Sequence, residues 1–149
     1  MAAPQPIQIG VVGLGYWGPN LARNFAGLAD SELRWVCDGS EAAREKASLQ
    51  FPGARVTAEL DDLLADPELD AIVLATPVPS HAELAVRVLE AGKHCFVEKP
   101  LAQSVADAER AVAAAQQAGK LLMVGHLLEY HPGVLKLKEL ADSGELGDI

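Results

Sequence analysis

The chain lacks most marks of a secreted, membrane-bound or nucleic-acid-binding protein. It has two cysteines in 149 residues, too few for a disulfide framework. No apolar run approaches the roughly 20 residues that a bilayer-spanning helix needs. The start, Met1-Ala2-Ala3-Pro4-Gln5-Pro6, has neither the basic region nor the apolar core of a secretory signal. Positive charge is scarce. Twelve Lys and Arg face 21 Asp and Glu, a formal net charge of −9, which argues against nucleic acid and anionic membrane surfaces as partners. There is no low-complexity tract and no long linker. The two thiols, Cys37 and Cys95, fall in apolar runs that read as buried strands. Free thiols there point to a reducing, cytoplasmic setting ahead of a disulfide or a metal site.

Half of the residues are hydrophobic, and the length suits one domain with a real core, taken as residues 1–149. The most informative stretch is Ile7 to Asp38. Ile7-Gln8-Ile9-Gly10-Val11-Val12 reads as a buried parallel strand. It enters Gly13-Leu14-Gly15-Tyr16-Trp17-Gly18, a G-x-G-x-x-G. A helical stretch follows, then a second apolar run, Leu33 to Cys37, ending at Asp38. That acid lies 20 positions after Gly18, the distance from a dinucleotide fingerprint to its ribose-binding carboxylate. Gly13 would turn the chain out of the strand, Gly15 would let a pyrophosphate approach the backbone, and Gly18 would pack helix against sheet. The helix start offers free N–H groups and a positive dipole end. Asp38 would accept from the ribose hydroxyls and repel a 2′-phosphate, favouring NAD over NADP.

The rest alternates strand and helix. The first helix is expected over about Tyr16 to Leu28, with Trp17, Leu21, Phe25 and Leu28 on its core face. Ser40 caps a helix to about Gln50, Arg55-Val56-Thr57 is a strand near a sheet edge, and Asp61 to Leu64 is a helical turn. Ala71 to Ala75 is the fourth strand, ending in Thr76-Pro77. Ser80 and Glu83 are expected to form a capping box for a helix to Ala91. His94 to Val97 is the fifth strand, Ser104 to Ala118 a helix closed by Gly119, Leu121 to Val124 the sixth strand, and about Pro132 to Ala141 the last helix. Six alternations predict an α/β fold: a doubly wound parallel sheet of about six strands, order 3-2-1-4-5-6.

Ligands of such sheets bind outside the carboxyl ends of the strands. Four segments meet there: Gly13–Gly18, Thr76-Pro77, Glu98-Lys99-Pro100 and Gly125-His126. Lys99 stands out, because packing does not need a lysine at a strand end, whereas a crevice can use one to orient a hydroxyl and move its proton. The bland alternative is a solvated lysine paired with Glu98. His126, Glu129 and His131 do not follow the H-E-x-x-H spacing, so no metal site is expected. His126 is placed at the crevice, His131 near the surface, and His94 has no evident partner.

Together these motifs resemble the N-terminal domain of the Gfo/Idh/MocA family (glucose–fructose oxidoreductase, inositol dehydrogenase and relatives). The marks are Gly-Leu-Gly-Tyr-Trp-Gly-Pro-Asn at 13–20, Cys37-Asp38, Ala75-Thr76-Pro77 with His81, Glu98-Lys99-Pro100-Leu101, Gly125-His126 and Gly144-Glu145-Leu146-Gly147. The resemblance implies an NAD(P)-dependent oxidoreductase that moves a hydride between a sugar or cyclitol carbon and nicotinamide. It implies cofactor contacts from Gly13, Gly15 and Gly18, and from the N–H groups of Tyr16 and Trp17. Asp38, with Ser40, would hold the adenosine ribose. Thr76, Pro77 and His81 would line the middle of the groove. Glu98 would lie by the nicotinamide ribose, and Lys99 between cofactor and substrate. It also implies a cis peptide before Pro100, and its wording is nearest to relatives acting on nucleotide-linked sugars.

The family continues into a second α/β domain that supplies much of the substrate pocket. This chain stops at Ile149, so cofactor binding without turnover is expected of it alone, along with a homodimer through its C-terminal surface. A stand-alone NAD-binding or oligomerising module is the reading from a different class. A methyltransferase is the third, opposed by Gly18 and the Glu98-Lys99-Pro100 element.

Overall fold

A computed structural model describes residues 5–147; Met1 to Pro4, in the segment read above for a signal, and the terminal residues 148 and 149 lie outside them. Six strands, β1 (Ile7–Val12), β2 (Ser31–Cys37), β3 (Arg55–Thr57), β4 (Ala71–Leu74), β5 (His94–Val97) and β6 (Leu122–Val124), form one sheet of order β3-β2-β1-β4-β5-β6. All neighbouring pairs are parallel. The crossovers are α1 (Gly18–Gly27), α2 (Glu41–Gln50), α3 (Leu60–Ala65), α4 (His81–Glu90) and α5 (Val105–Ala118), with α6 (Pro132–Asp142) after the last strand. This is the doubly wound α/β fold expected from the alternation.

The strands are apolar because both faces are covered. Side chains alternate across the sheet. Ile9, Val11, Leu33, Val36 and Val73 pack with Ala22 of α1 and Ala47 of α2. Val12, Cys37, Ile72, Leu74, Cys95 and Val97 pack with Leu63 of α3, Ala85, Val88 and Leu89 of α4, and Ala111, Ala114 and Ala115 of α5. Burial raises both thiols, Cys37 to about 11 and Cys95 to about 12. They are free and protonated at neutral pH.

Three local expectations need correction. Helix α1 starts at Gly18, not Tyr16, because the glycine turn runs on to Trp17, its N-cap residue. Leu21 and Phe25 do pack on the sheet, but Leu28 lies beyond the helix and is exposed, as is Ile7 at the strand's start. The Ser80–Glu83 capping box does not form. A 3-10 turn, Val78–Ser80, leads straight into α4, so Ser80 is already near-helical (φ −93°, ψ −11°). Its hydroxyl donates back to the Pro77 carbonyl instead, at 2.8 Å. The caps expected of Ser40 and Ser104 do form, accepting from the N–H groups of Ala43 and Asp107, and Gly119 closes α5 at φ 63°.

His94 has a partner after all, since its Nδ1 accepts from the Leu121 N–H at 3.0 Å. His131 is exposed, and its Nδ1 accepts from the Gly133 N–H at the start of α6. No described helix is long and apolar enough to cross a membrane.

Candidate functional site

At the carboxyl end of β1 the chain makes its tightest approach to itself. Gly13 has φ +90°, and a Cβ there would sit 2.6 Å from the Ala75 carbonyl atoms. A Cβ on Gly18 would lie 1.8 Å from the Gly13 oxygen. Both glycines are therefore required by the fold. Gly15 is different: nothing lies within 4 Å of a Cβ built there, and the residue faces solvent. Packing does not explain it, whereas a ligand laid against the backbone does.

The same turn leaves donors over. The N–H of Gly13 donates to the Cys37 carbonyl at 2.8 Å and that of Leu14 to Asp38 Oδ2 at 2.6 Å. The N–H groups of Gly15, Tyr16, Trp17 and Gly18 donate to no other described residue. They cluster at the positive end of the α1 dipole, which suits a pyrophosphate.

Asp38 ties this turn to the next one. Its Oδ2 accepts from Leu14 and its Oδ1 from the Ser40 N–H at 2.8 Å. A carboxylate has about four acceptor positions, so half of its capacity is left for other donors. Ser40 also caps α2, which aims that helix's N-terminus at the same edge.

On the far side of Trp17 lie two adjoining hollows. The larger, about 890 Å³, is lined by Trp17, Lys99, Pro100, Gly125, His126 and residues from Leu127 to Lys138. The smaller, about 310 Å³, shares Trp17, Gly125 and His126 and adds Asn20, Phe96 and Glu98. Trp17 corrects an expectation here. It is 45% exposed and stands edge-on to Tyr16, 5.5 Å between ring centroids, rather than in the core. As the N-cap of α1, its side chain projects over the strand ends and misses the sheet face.

Lys99 is exposed at the mouth of the larger hollow and forms no ion pair with Glu98. Glu98 instead accepts from the Lys99 backbone N–H at 3.3 Å. The Lys99–Pro100 peptide is cis, as the resemblance implied.

Thr76 is half-buried, its hydroxyl 2.8 Å from that of Ser80, and Pro77 is exposed beside it. His81 does not line the groove. It is 1% exposed, with Nε2 2.7 Å from the Thr76 carbonyl and Nδ1 2.8 Å from the Pro100 carbonyl. It braces the loops after β4 and β5 against each other from beneath.

The structure thus brings Gly13–Gly18, Asp38, Ser40, Thr76, Pro77, Glu98, Lys99 and His126 to one edge, and puts His81 behind it. Two contributors escaped the sequence reading: Leu14, whose backbone N–H fixes Asp38, and Arg44 of α2, which donates to the carbonyls of Asp38 and Gly39. A backbone donor carries no sequence signal. Arg44 could have been noticed as a cation in the turn of helix that follows Asp38.

Comparison with known proteins shows the family. The inositol 2-dehydrogenase of Salmonella typhimurium (strain LT2) is 33% identical over 147 residues, covering 95% of this chain and 43% of the enzyme. Among solved structures, GenD2 from gentamicin A biosynthesis, in complex with NAD, superposes with a TM-score of 0.89 at 35% identity, over 97% of this chain and 41% of that one. A variant of KijD10, a 3-ketoreductase from Actinomadura kijaniata, in complex with TDP-benzene and NADP, superposes at 0.88 with 28% identity, over 97% and 46%. The chain spans 36–43% of the length of such curated relatives. The sequence pattern of the Gfo/Idh/MocA oxidoreductases, described as an oxidoreductase family with an NAD-binding Rossmann fold, matches residues 7–126. This chain belongs to that family, as its NAD-binding oxidoreductase domain.

Proposed function

We propose that the chain binds NAD(H) in preference to NADP(H) and forms the cofactor half of an oxidoreductase acting on a sugar or cyclitol. The observation that carries this is the pairing of Gly15's open backbone and the free N–H groups of Gly15 to Gly18 with the half-committed carboxylate of Asp38. Backbone N–H groups hold the pyrophosphate. Asp38, on a frame set by Leu14 and Ser40, accepts from the adenosine ribose hydroxyls. Thr76 and Pro77 flank the middle of the cofactor, and Glu98 lies toward its second ribose. Bound nicotinamide supplies the hydride acceptor or donor.

Lys99 reaches solvent at the mouth of the 890 Å³ hollow, where it orients a substrate hydroxyl and carries its proton. The substrate reading draws on the inositol dehydrogenases, with their cyclitol, and on the ketoreductase solved with a TDP-linked compound. Alone, the chain is expected to bind cofactor without turnover. The two buried, free thiols support a cytoplasmic setting.

Titration of NADH, NADPH and S-adenosylmethionine by calorimetry tests the core of this reading. NADH should bind tightest. Tighter NADPH binding would overturn the cofactor preference, and binding of S-adenosylmethionine alone would overturn the reaction class. NADH binding with no oxidation from a panel of sugars would favour a module without catalysis.

The C-terminal surface supports a homodimer. No residue of α6 is buried, and Leu128, Leu135 and Leu137 are more than half exposed beside the open edge strand β6. An unpaired strand edge next to an apolar face favours association, and two-fold pairing is the commonest closed form. Light scattering over a dilution series should show a dimer that Leu137→Glu dissociates. A monomer at high micromolar concentration would end this proposal.

A further inference from the structure

His81 opens α4 and is 1% exposed, and the cofactor and substrate contacts proposed for this edge leave it out. Its Nε2 lies 2.7 Å from the Thr76 carbonyl oxygen and its Nδ1 2.8 Å from the Pro100 carbonyl oxygen. A carbonyl oxygen only accepts, and a neutral imidazole has a single N–H. In either neutral tautomer one ring nitrogen would press its lone pair against an oxygen at hydrogen-bond distance. Only the imidazolium, with a proton on each nitrogen, satisfies both contacts. That form is costly at this position, because burial opposes charge and the start of a helix is its positive end. Two charge-assisted bonds offset the cost. A residue that merely filled the space would avoid it.

The charged side chains around the first turn of α4 are Glu83 of α4 itself, Glu98 and Lys99 after β5, and Asp107 and Arg110 of α5. Among the described residues the ring is bonded to none of them. Asp107 and Arg110 pair with each other at 3.7 Å. Glu83 and Glu98 are then set against Lys99 alone, a balance that favours the second ring proton.

We infer that His81, protonated on both ring nitrogens, is a positioning residue that sets the gap between the loop after β4 and the loop after β5. Thr76 and Pro77 stand on one side of that gap, Glu98 and Lys99 on the other. The inference rests on the reading of this edge as a dinucleotide site, with the nicotinamide half of the cofactor between these loops and the adenosine half at β1 and β2. Both acceptors are main-chain atoms, so the ring fixes the backbone of each loop and not a single side chain. With one proton gone, one contact turns repulsive and the loops are free to separate. The half of the cofactor between them then loses its contacts, and the adenosine half keeps its own.

Two measurements on the chain itself test this. Nitrogen-15 NMR of the histidine rings, with His81 assigned through its backbone amide, should show both of its ring nitrogens protonated at pH 7. Calorimetry should show NADH affinity falling about tenfold as rising pH removes the second proton, the scale of one hydrogen bond. ADP affinity should stay unchanged, because ADP reaches only the contacts at β1 and β2. His81→Gln, whose amide cannot donate from two opposed atoms, should show the same tenfold loss toward NADH at neutral pH, keep its ADP affinity and lose the pH dependence.

A ring with one bare nitrogen at pH 7 overturns the inference. Equal losses of NADH and ADP, in His81→Gln or with rising pH, make His81 a structural residue only and overturn it too. Should His81→Gln fail to fold in thermal melts, the ring spectrum and the pH comparison in the unmodified chain decide. Failure of the unmodified chain to bind either NADH or ADP overturns the site itself, and the inference with it.

Discussion

At the amino edge of the sheet, before β4 and β5, Asp66 is 7% exposed and both its carboxylate oxygens are bonded to neighbours. Its Oδ2 accepts from Arg34 Nε and from Trp35 Nε1, each at 2.7 Å, and its Oδ1 from the Glu68 N–H at 3.0 Å. Buried Lys93 donates to the Asp66 and Leu69 carbonyls at 2.6 and 3.0 Å. At the carboxyl edge, among the described residues, the N–H groups of Gly15 to Gly18 find no acceptor, Asp38 uses half of its acceptors, and Lys99 has no carboxylate partner. One edge spends its polar groups on itself and the other holds them for a ligand. Mutations at the first should therefore change stability, and mutations at the second should change binding, except where the open edge is also tightly packed.

Gly18 is that exception and should give the largest effect. Its Cβ would overlap the Gly13 oxygen, a backbone atom that cannot rotate away. Gly18→Ala should cost about 3 kcal/mol or more of folding free energy, the upper range of overpacking. Gly15→Ala, three residues earlier, should change stability by less than about 0.5 kcal/mol yet weaken NADH binding. Urea denaturation with parallel NADH titration separates them, and equal destabilisation by both would erase the distinction drawn within this edge.

Asp66→Ala comes next. It strands the Arg34 guanidinium and the Trp35 N–H in a partly buried corner, a loss of about 2–3 kcal/mol, with no effect on NADH affinity. The Arg34 hydrogen bond, helped by Trp35 and the Glu68 N–H, holds the Asp66 carboxyl well below its ordinary 3.8 against the opposing effect of burial. A depressed folded-state pKa gives stability that is present above 3.8 and lost as pH falls below it. Acid unfolding should thus be shallower in Asp66→Asn than in the parent. Matching slopes below pH 4 would show that Asp66 is not the group responsible.

The contrast between edges also explains what could be read from residue order. Strand order followed from alternation, because six buried parallel strands leave few right-handed arrangements. The tight turn at Gly13 and Gly18 and the place of Asp38 at the end of β2 were legible because they belong to the backbone and to a fixed spacing. Trp17 and His81 were misjudged because each role depends on where a side chain points after tertiary packing. A helical wheel put Trp17 in the core, although the helix begins only after it. Resemblance put His81 in the groove, although the 3-10 turn from Val78 to Ser80 carries it underneath. The Asp66 network joins β2 to the segments before β4 and β5, positions 27 to 32 residues apart in the chain, and no local pattern announces it.

Lys99 should give the smallest effect on the chain alone and is the sharpest test of what the open edge is for. It is exposed, makes no ion pair among the described residues, and follows a strand whose core residues, Cys95 and Val97, are buried without its help. Lys99→Ala should therefore shift unfolding by less than about 0.5 kcal/mol. NADH affinity should change little, because the pyrophosphate and adenosine contacts proposed above lie at β1 and β2. Proton transfer at a substrate hydroxyl needs a positioned group, and losing one typically costs about 10²–10⁴-fold in rate. In a protein of full family length carrying this domain, the same substitution should lower kcat far more than it raises KM for NADH. Lys99→Arg should not restore it, since a guanidinium does not give up its proton. Normal turnover with a marked loss of thermal stability would instead make Lys99 a structural residue, and would leave the hollow beside His126 without a proton carrier from β5.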